Sequence, residues 1–140
     1  MSTFVKTRAD FQSVSTLRIE EAEVLLKAGK WDGAYYVAGY AVECALKSCI
    51  IKMLMARDAF PEKKFSAECY QHDLDQLLKL AGMEDEMNQS GPVAAKWAIV
   101  KDWSEQSRYE FGRDEPEVRE FFKDINDPAE GVLQWIRSRW

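Results

Sequence analysis

Residues 34–55, AYYVAGYAVECALKSCIIKMLM, form a nearly unbroken apolar run in which Glu43, Lys47 and Lys52 are the only charges. A run of that length is either a membrane span or a helix buried on most of its circumference. The three charges would be costly in lipid, and no second span is present to shield them, so a buried central helix is the expectation. Glu43 and Lys47 lie four residues apart, on one side of such a helix. A carboxylate there must pair with a group on a neighbouring helix or line a polar seam between helices, and that seam is where a function would sit.

The rest of the chain has to supply helices that cover this one. β-branched residues are too scattered for alternating strands, and apolar residues recur at helical spacing. Thr7 and Asp10 can cap a first helix with an apolar stripe of Phe11, Val14, Leu17, Ala22, Leu25 and Ala28, ended by Gly29. Asp32 is the expected N-cap of the central helix, and the tight connection before it makes the first two helices an antiparallel hairpin. Residues 57–70 read as irregular around Pro61. A third helix follows at about 72–81, carrying Leu74, Leu77, Leu78 and Leu80, and 84–91 reads as a polar connection. Pro92 opens a fourth helix along which Trp97, Val100, Ser104, Arg108 and Phe111 lie three or four residues apart. Val118, Phe121, Ile125, Val132 and Ile136 then form one bent helix, or two with Asp127 capping the second. The pattern predicts an all-α fold, an antiparallel bundle of four or five helices, in a single domain covering 1–140.

Composition narrows the function. A net charge of -5 argues against a broad nucleic-acid-binding surface and leaves room only for a local basic patch. Cys44, Cys49 and Cys69 are odd in number and two fall in the buried helix, which points to a reducing cytoplasm and to thiols acting as small core residues. There is no glycine-rich phosphate loop, dinucleotide fingerprint or nucleophile elbow. The one histidine rules out a bundle di-iron site of the usual form, and no metal or cofactor is expected. Cys69 and His72 share the spacing of two zinc ligands or of a thiolate and imidazole couple, but neither other cysteine completes the set. His72 is better placed to cap or pack the third helix, or to join the interhelical polar cluster.

Five tryptophans and five tyrosines exceed what a small core holds, so some rings are expected on a face, and such a face suits a homodimer. The polar candidates are Glu43, Lys47, His72, Arg108 and Tyr109. In a closed seam, Glu43 pairs with Lys47 or Arg108. In an open one, Lys47, Arg108, Tyr109 and His72 form a ligand-binding set for a phosphate or carboxylate.

The chain resembles the HEPN family (higher eukaryotes and prokaryotes nucleotide-binding domain) over about residues 10–138. The resemblance rests on Trp31-Asp32-Gly33-Ala34-Tyr35-Tyr36 in the helical hairpin, Ala41-Val42-Glu43-Cys44-Ala45-Leu46-Lys47 in the central helix, His72-Asp73-Leu74, and Arg108-Tyr109. It implies a bundle of four or five helices, often dimeric, tied to nucleotides or RNA. Many members are metal-independent endoribonucleases, including toxins of toxin-antitoxin modules, and others sit beside a small nucleotidyltransferase. Ribonuclease members carry an arginine, four to six intervening residues and a histidine. Arg108 fits that arginine, but Arg113, Asp114 and Glu115 stand where the histidine would fall. The resemblance therefore implies a noncatalytic binding or accessory domain. The alternatives are a ribonuclease with a displaced catalytic set of Arg108, His72 and Glu43, which needs groups that can move a proton, and a structural homodimer without ligand.

Overall fold

The structure is a computed structural model describing residues 1–140. It is all-α: α1 (Arg8–Lys27), α2 (Trp31–Arg57), α3 (Lys63–Glu68), α4 (Leu74–Leu80), α5 (Glu84–Asn88), α6 (Pro92–Val100), α7 (Glu115–Asn126) and α8 (Val132–Arg137), with a 3-10 turn at Glu105–Tyr109. No helix is long and apolar enough to cross a membrane.

α2 is the axis, with α1, α4, α7, α8 and the 3-10 turn packed around it. Small residues make that closeness possible. Ala34, Ala38, Ala41 and Ala45 are buried along α2, and the Ser15 hydroxyl of α1 donates across the interface to the Ala41 carbonyl at 2.7 Å. This bond turns α1, so its buried line is Ser15, Ile19, Ala22 and Leu26, and Leu17 of the expected stripe is 51% exposed. The hairpin itself forms as expected. Thr7 Oγ1 accepts from Asp10 N at 3.1 Å while Asp10 Oδ2 accepts from Thr7 N at 2.9 Å, a reciprocal cap that starts α1. Gly29, with φ +75°, turns the chain into α2.

The other departures have local causes. Asp32 does not cap α2, which begins at Trp31; its carboxylate accepts instead from the backbone N–H groups of Gly112 and Arg113, at 3.1 and 3.0 Å. That clamp fastens the connection before α7 to the start of α2. Two segments read as irregular or connecting, 57–70 and 84–91, hold the short helices α3 and α5. The fourth helix stops at Val100, with Trp97 and Val100 buried, and Arg108 and Phe111 are not on it. The last segment is two helices, but Gly131 is the N-cap of α8, while Asp127 closes α7 and accepts from Glu130 N at 2.8 Å. The five apolar positions read across it, Val118, Phe121, Ile125, Val132 and Ile136, are all buried.

Trp103 explains why the fourth helix ends early. Its indole lies flat against Gly39 of α2, so close that a Cβ on residue 39 would overlap the ring. The chain has to leave the α6 axis to make that contact. Gly39→Ala is expected to destabilise the fold by about 1–3 kcal/mol through overpacking, read as a lower urea midpoint at unchanged m-value. Cysteine reactivity gives a second check. Burial pushes the Cys44 thiol up to about 12, helped by the Glu43 charge, and burial pushes Cys49 up to about 11. Cys69 is only half-buried. A maleimide should label Cys69 in the native protein, and Cys44 and Cys49 only after unfolding, as peptide mass spectrometry would show.

Candidate functional site

Glu43 sits in the middle of α2 with 2% of its surface exposed. A carboxylate taken that far out of water needs donors, and two residues provide them. Lys47, one turn along, donates Nζ to Glu43 Oε2 at 3.2 Å. His72 brings Nδ1 to 3.0 and 3.1 Å from the two carboxylate oxygens. The ring is delivered by the loop ahead of α4. The cap of that helix is not His72 but Asp73, whose Oδ1 accepts from Gln76 N at 2.9 Å.

The second ring nitrogen is also engaged. His72 Nε2 faces Glu105 Oε2 at 3.2 Å, so the imidazole bridges two carboxylates, and neither nitrogen turns to Cys69. Both nitrogens can donate at once only in the protonated ring, which then places one positive charge between two negative ones. Glu105, which sequence reasoning missed, belongs to the 3-10 turn that Ser104 starts by accepting from Gln106 N at 3.1 Å. Nothing local marks Glu105 as a partner of His72, because the pairing depends on Trp103 docking on Gly39. Gln71, His72, Asp73, Trp103, Ser104 and Glu105 line an open cleft of about 330 Å³.

The candidate residues thus separate into two groups. Glu43, Lys47 and His72 come together. Arg108 and Tyr109 lie at the far end of the turn that carries Glu105, and both are exposed. The expected closed pairing of Glu43 with Lys47 is present, whereas Arg108 forms no ion pair with Glu43 or any other carboxylate. Its guanidinium lies over the Tyr109 ring, 4.9 Å from the centroid. Hydrogen bonding to the phenols of Tyr109 and Tyr36, with the Glu105 charge adding to it, raises its pKa above the usual arginine value, and a guanidinium stays charged at any working pH.

The positions downstream of Arg108 are held by structural contacts. The Arg113 guanidinium lies 3.6 Å from the centroid of the Tyr35 ring and pairs with Glu110 and Glu117, each at 2.6 Å. Asp114 caps α7 by accepting from Glu117 N at 3.0 Å, and Glu115 pairs with Arg119 at 2.7 Å.

These geometries separate two carboxylates by cost. Glu43→Ala removes the partner of an ammonium whose side chain is only 15% exposed, and should lower stability by about 3 kcal/mol in urea denaturation. Glu105→Ala breaks one contact to a half-exposed ring and should cost about 1 kcal/mol or less.

Residues 15–139 match the HEPN domain, which is most of the chain and covers every residue of the site. Among curated proteins and among solved structures, none matches this chain. The chain belongs to the HEPN domain family.

Proposed function

We propose that this chain is a single, noncatalytic HEPN binding or accessory domain that acts in the cytoplasm as a homodimer and holds the phosphate of a nucleotide or RNA at Arg108. The observation that carries this reading is the contrast between two basic side chains. Arg108 is exposed, permanently charged and without a carboxylate partner, whereas His72 has a carboxylate at each nitrogen. Binding a phosphate at Arg108 requires no existing ion pair to break. Proton transfer by His72 would require the ring to leave Glu105 or Glu43. Lys47 is held by Glu43 and is a weaker candidate for a ligand contact than Arg108 or Tyr109. Leu17 and Val24, 51% and 66% exposed on α1, supply apolar surface for a second copy. A small nucleotidyltransferase is the protein partner proposed with it, and the free thiols suit a reducing compartment.

One observation favours the metal-independent endoribonuclease as a second reading. Glu43 grips Nδ1 of His72, the arrangement in which a carboxylate orients a catalytic imidazole, and release of Glu105 would free Nε2. The deciding experiment incubates purified protein with mixed-sequence single-stranded RNA in EDTA, alongside His72→Ala and Arg108→Ala, and measures binding of the same RNA and of a mononucleotide. We expect no cleavage by any of the three. We expect binding that Arg108→Ala weakens about tenfold, with a salt slope reduced by about 0.7 for the lost phosphate contact. Cleavage abolished in both variants would establish the ribonuclease. Absence of both cleavage and binding would leave a structural homodimer.

A further inference from the structure

Lys47, Ile50, Ile51 and Leu54 fall three or four residues apart, so they form one stripe along the second half of α2. Phe11 of α1, with Cys69 and Tyr70 from the connection between α3 and α4, completes the wall of a pocket of about 210 Å³ over that stripe. Tyr70 is 82% exposed, so the pocket opens to solvent on its side. A cavity of about 150 Å³ lined by Leu, Ile and Phe takes a benzene ring, and this one therefore has room for a ring and a small head group. Lys47 is the one charged residue in the wall. Its side chain is 15% exposed, and its only hydrogen bond is the one to Glu43 Oε2. An ammonium has three N–H donors, so two are left without an acceptor in the protein. Burial raises the pKa of the Cys69 thiol and the Lys47 charge opposes that rise, so the ammonium is felt inside the pocket as well as at Glu43.

We propose that this pocket binds a small monocarboxylic acid, with its apolar body against Phe11, Ile50, Ile51 and Leu54 and its carboxylate on the free N–H groups of Lys47. The site shares no residue with Arg108 and Tyr109 and is independent of the phosphate reading given above. Charge and shape select this class of ligand together. A carboxylate supplies acceptor lone pairs for the two free donors, and its single charge meets the single cation of the wall. A phosphate would bring further charge that the rest of the pocket has nothing to meet. The pairing with Glu43 that weakens Lys47 against a nucleotide is compatible with a singly charged ligand, because His72 continues to hold Glu43 at 3.0 Å while Lys47 serves both carboxylates. An amide of the same shape would make the apolar contacts without the charge-assisted bonds, which are about twice as strong as neutral ones.

The test follows maleimide labelling of Cys69 in the full chain, since a ligand in the pocket covers a thiol that lies in its wall. Three probes separate the parts of the proposal. Phenylacetate carries the ring and the charge, phenylacetamide the ring alone, and acetate the charge alone. Phenylacetate at about 10 mM should slow labelling about tenfold, as for a ligand of about ten non-hydrogen atoms with a Kd of about 1 mM, and the other two should slow it less than about twofold. Lys47→Met keeps the apolar stem, leaves His72 on Glu43 and should abolish the protection. Ile51→Trp fills the pocket from a half-buried position without touching the ion pair and should abolish it too, which keeps the proposal testable if the Lys47 variant folds poorly. Protection by phenylacetamide or by acetate equal to that by phenylacetate overturns the proposal, as does protection that survives in either folded variant. Labelling that none of the three probes slows overturns it as well. Labelling that is slow without any probe and accelerates on dilution assigns the pocket to a second copy of the chain, with the same result.

Discussion

A single buried carboxylate organises the polar half of this molecule. Glu43 lies in the middle of the most buried helix, where an unpaired charge would cost several kcal/mol, and two hydrogen-bond donors, the Lys47 ammonium and the His72 ring, converge on it. Lys47 comes from the same helix and constrains nothing else. His72 comes from the loop before α4, so its bond to Glu43 ties that loop to α2. Through Nε2 the same ring reaches Glu105 and the 3-10 turn. One imidazole thereby connects three segments that share no backbone hydrogen bonds.

The apolar half obeys a different constraint, which is close approach. Alanines along one side of α2 admit α1, and Gly39 admits the Trp103 ring. Each contact has a rotational or directional consequence. The Ser15 to Ala41 bond turns α1 so that Leu17 faces outward, and the indole on Gly39 draws the chain out of α6. Helix packing and the shape of the polar cluster are therefore not independent: the turn that presents Glu105 to His72 exists because Trp103 is docked on α2. The Trp103 Nε1 group is buried without a hydrogen-bond partner, so the contact is held by packing against a cost in polar satisfaction.

Much of this was legible in the sequence, and what was not has a common cause. The apolar length of α2, the Thr7 and Asp10 cap, and the Glu43 and Lys47 spacing are local patterns, and local patterns survive folding. The buried positions of α7 and α8 were equally readable, because a helical period persists across the break at Pro128. Asp32 was misread because an Asp at a helix start is usually a cap, and here a loop eighty residues away claims its oxygens. Arg108 and Phe111 continued the period of Trp97 and Val100 in sequence, but period says nothing of a tertiary contact that ends the helix. Glu105 could not be singled out, since its partner is set by a contact between two other segments.

The residues after Arg108 bear on the absence of the downstream histidine that the resemblance to ribonucleases led one to look for. A histidine at 113 would remove a guanidinium that covers the Tyr35 ring and holds Glu110 and Glu117 together. At 114 it would remove the cap of α7, worth about 1 kcal/mol. At 115 it would lose only a half-exposed pair with Arg119, worth less than about 1 kcal/mol. Two of the three positions therefore serve stability, and the third is nearly free to change. Even there an added imidazole would join an arginine that lies over the Tyr109 ring, while the native imidazole is already clasped by two carboxylates. The only imidazole is thus held between two carboxylates, while the arginine that fits the motif carries none, and on the proposed reading that division favours holding a phosphate over moving a proton.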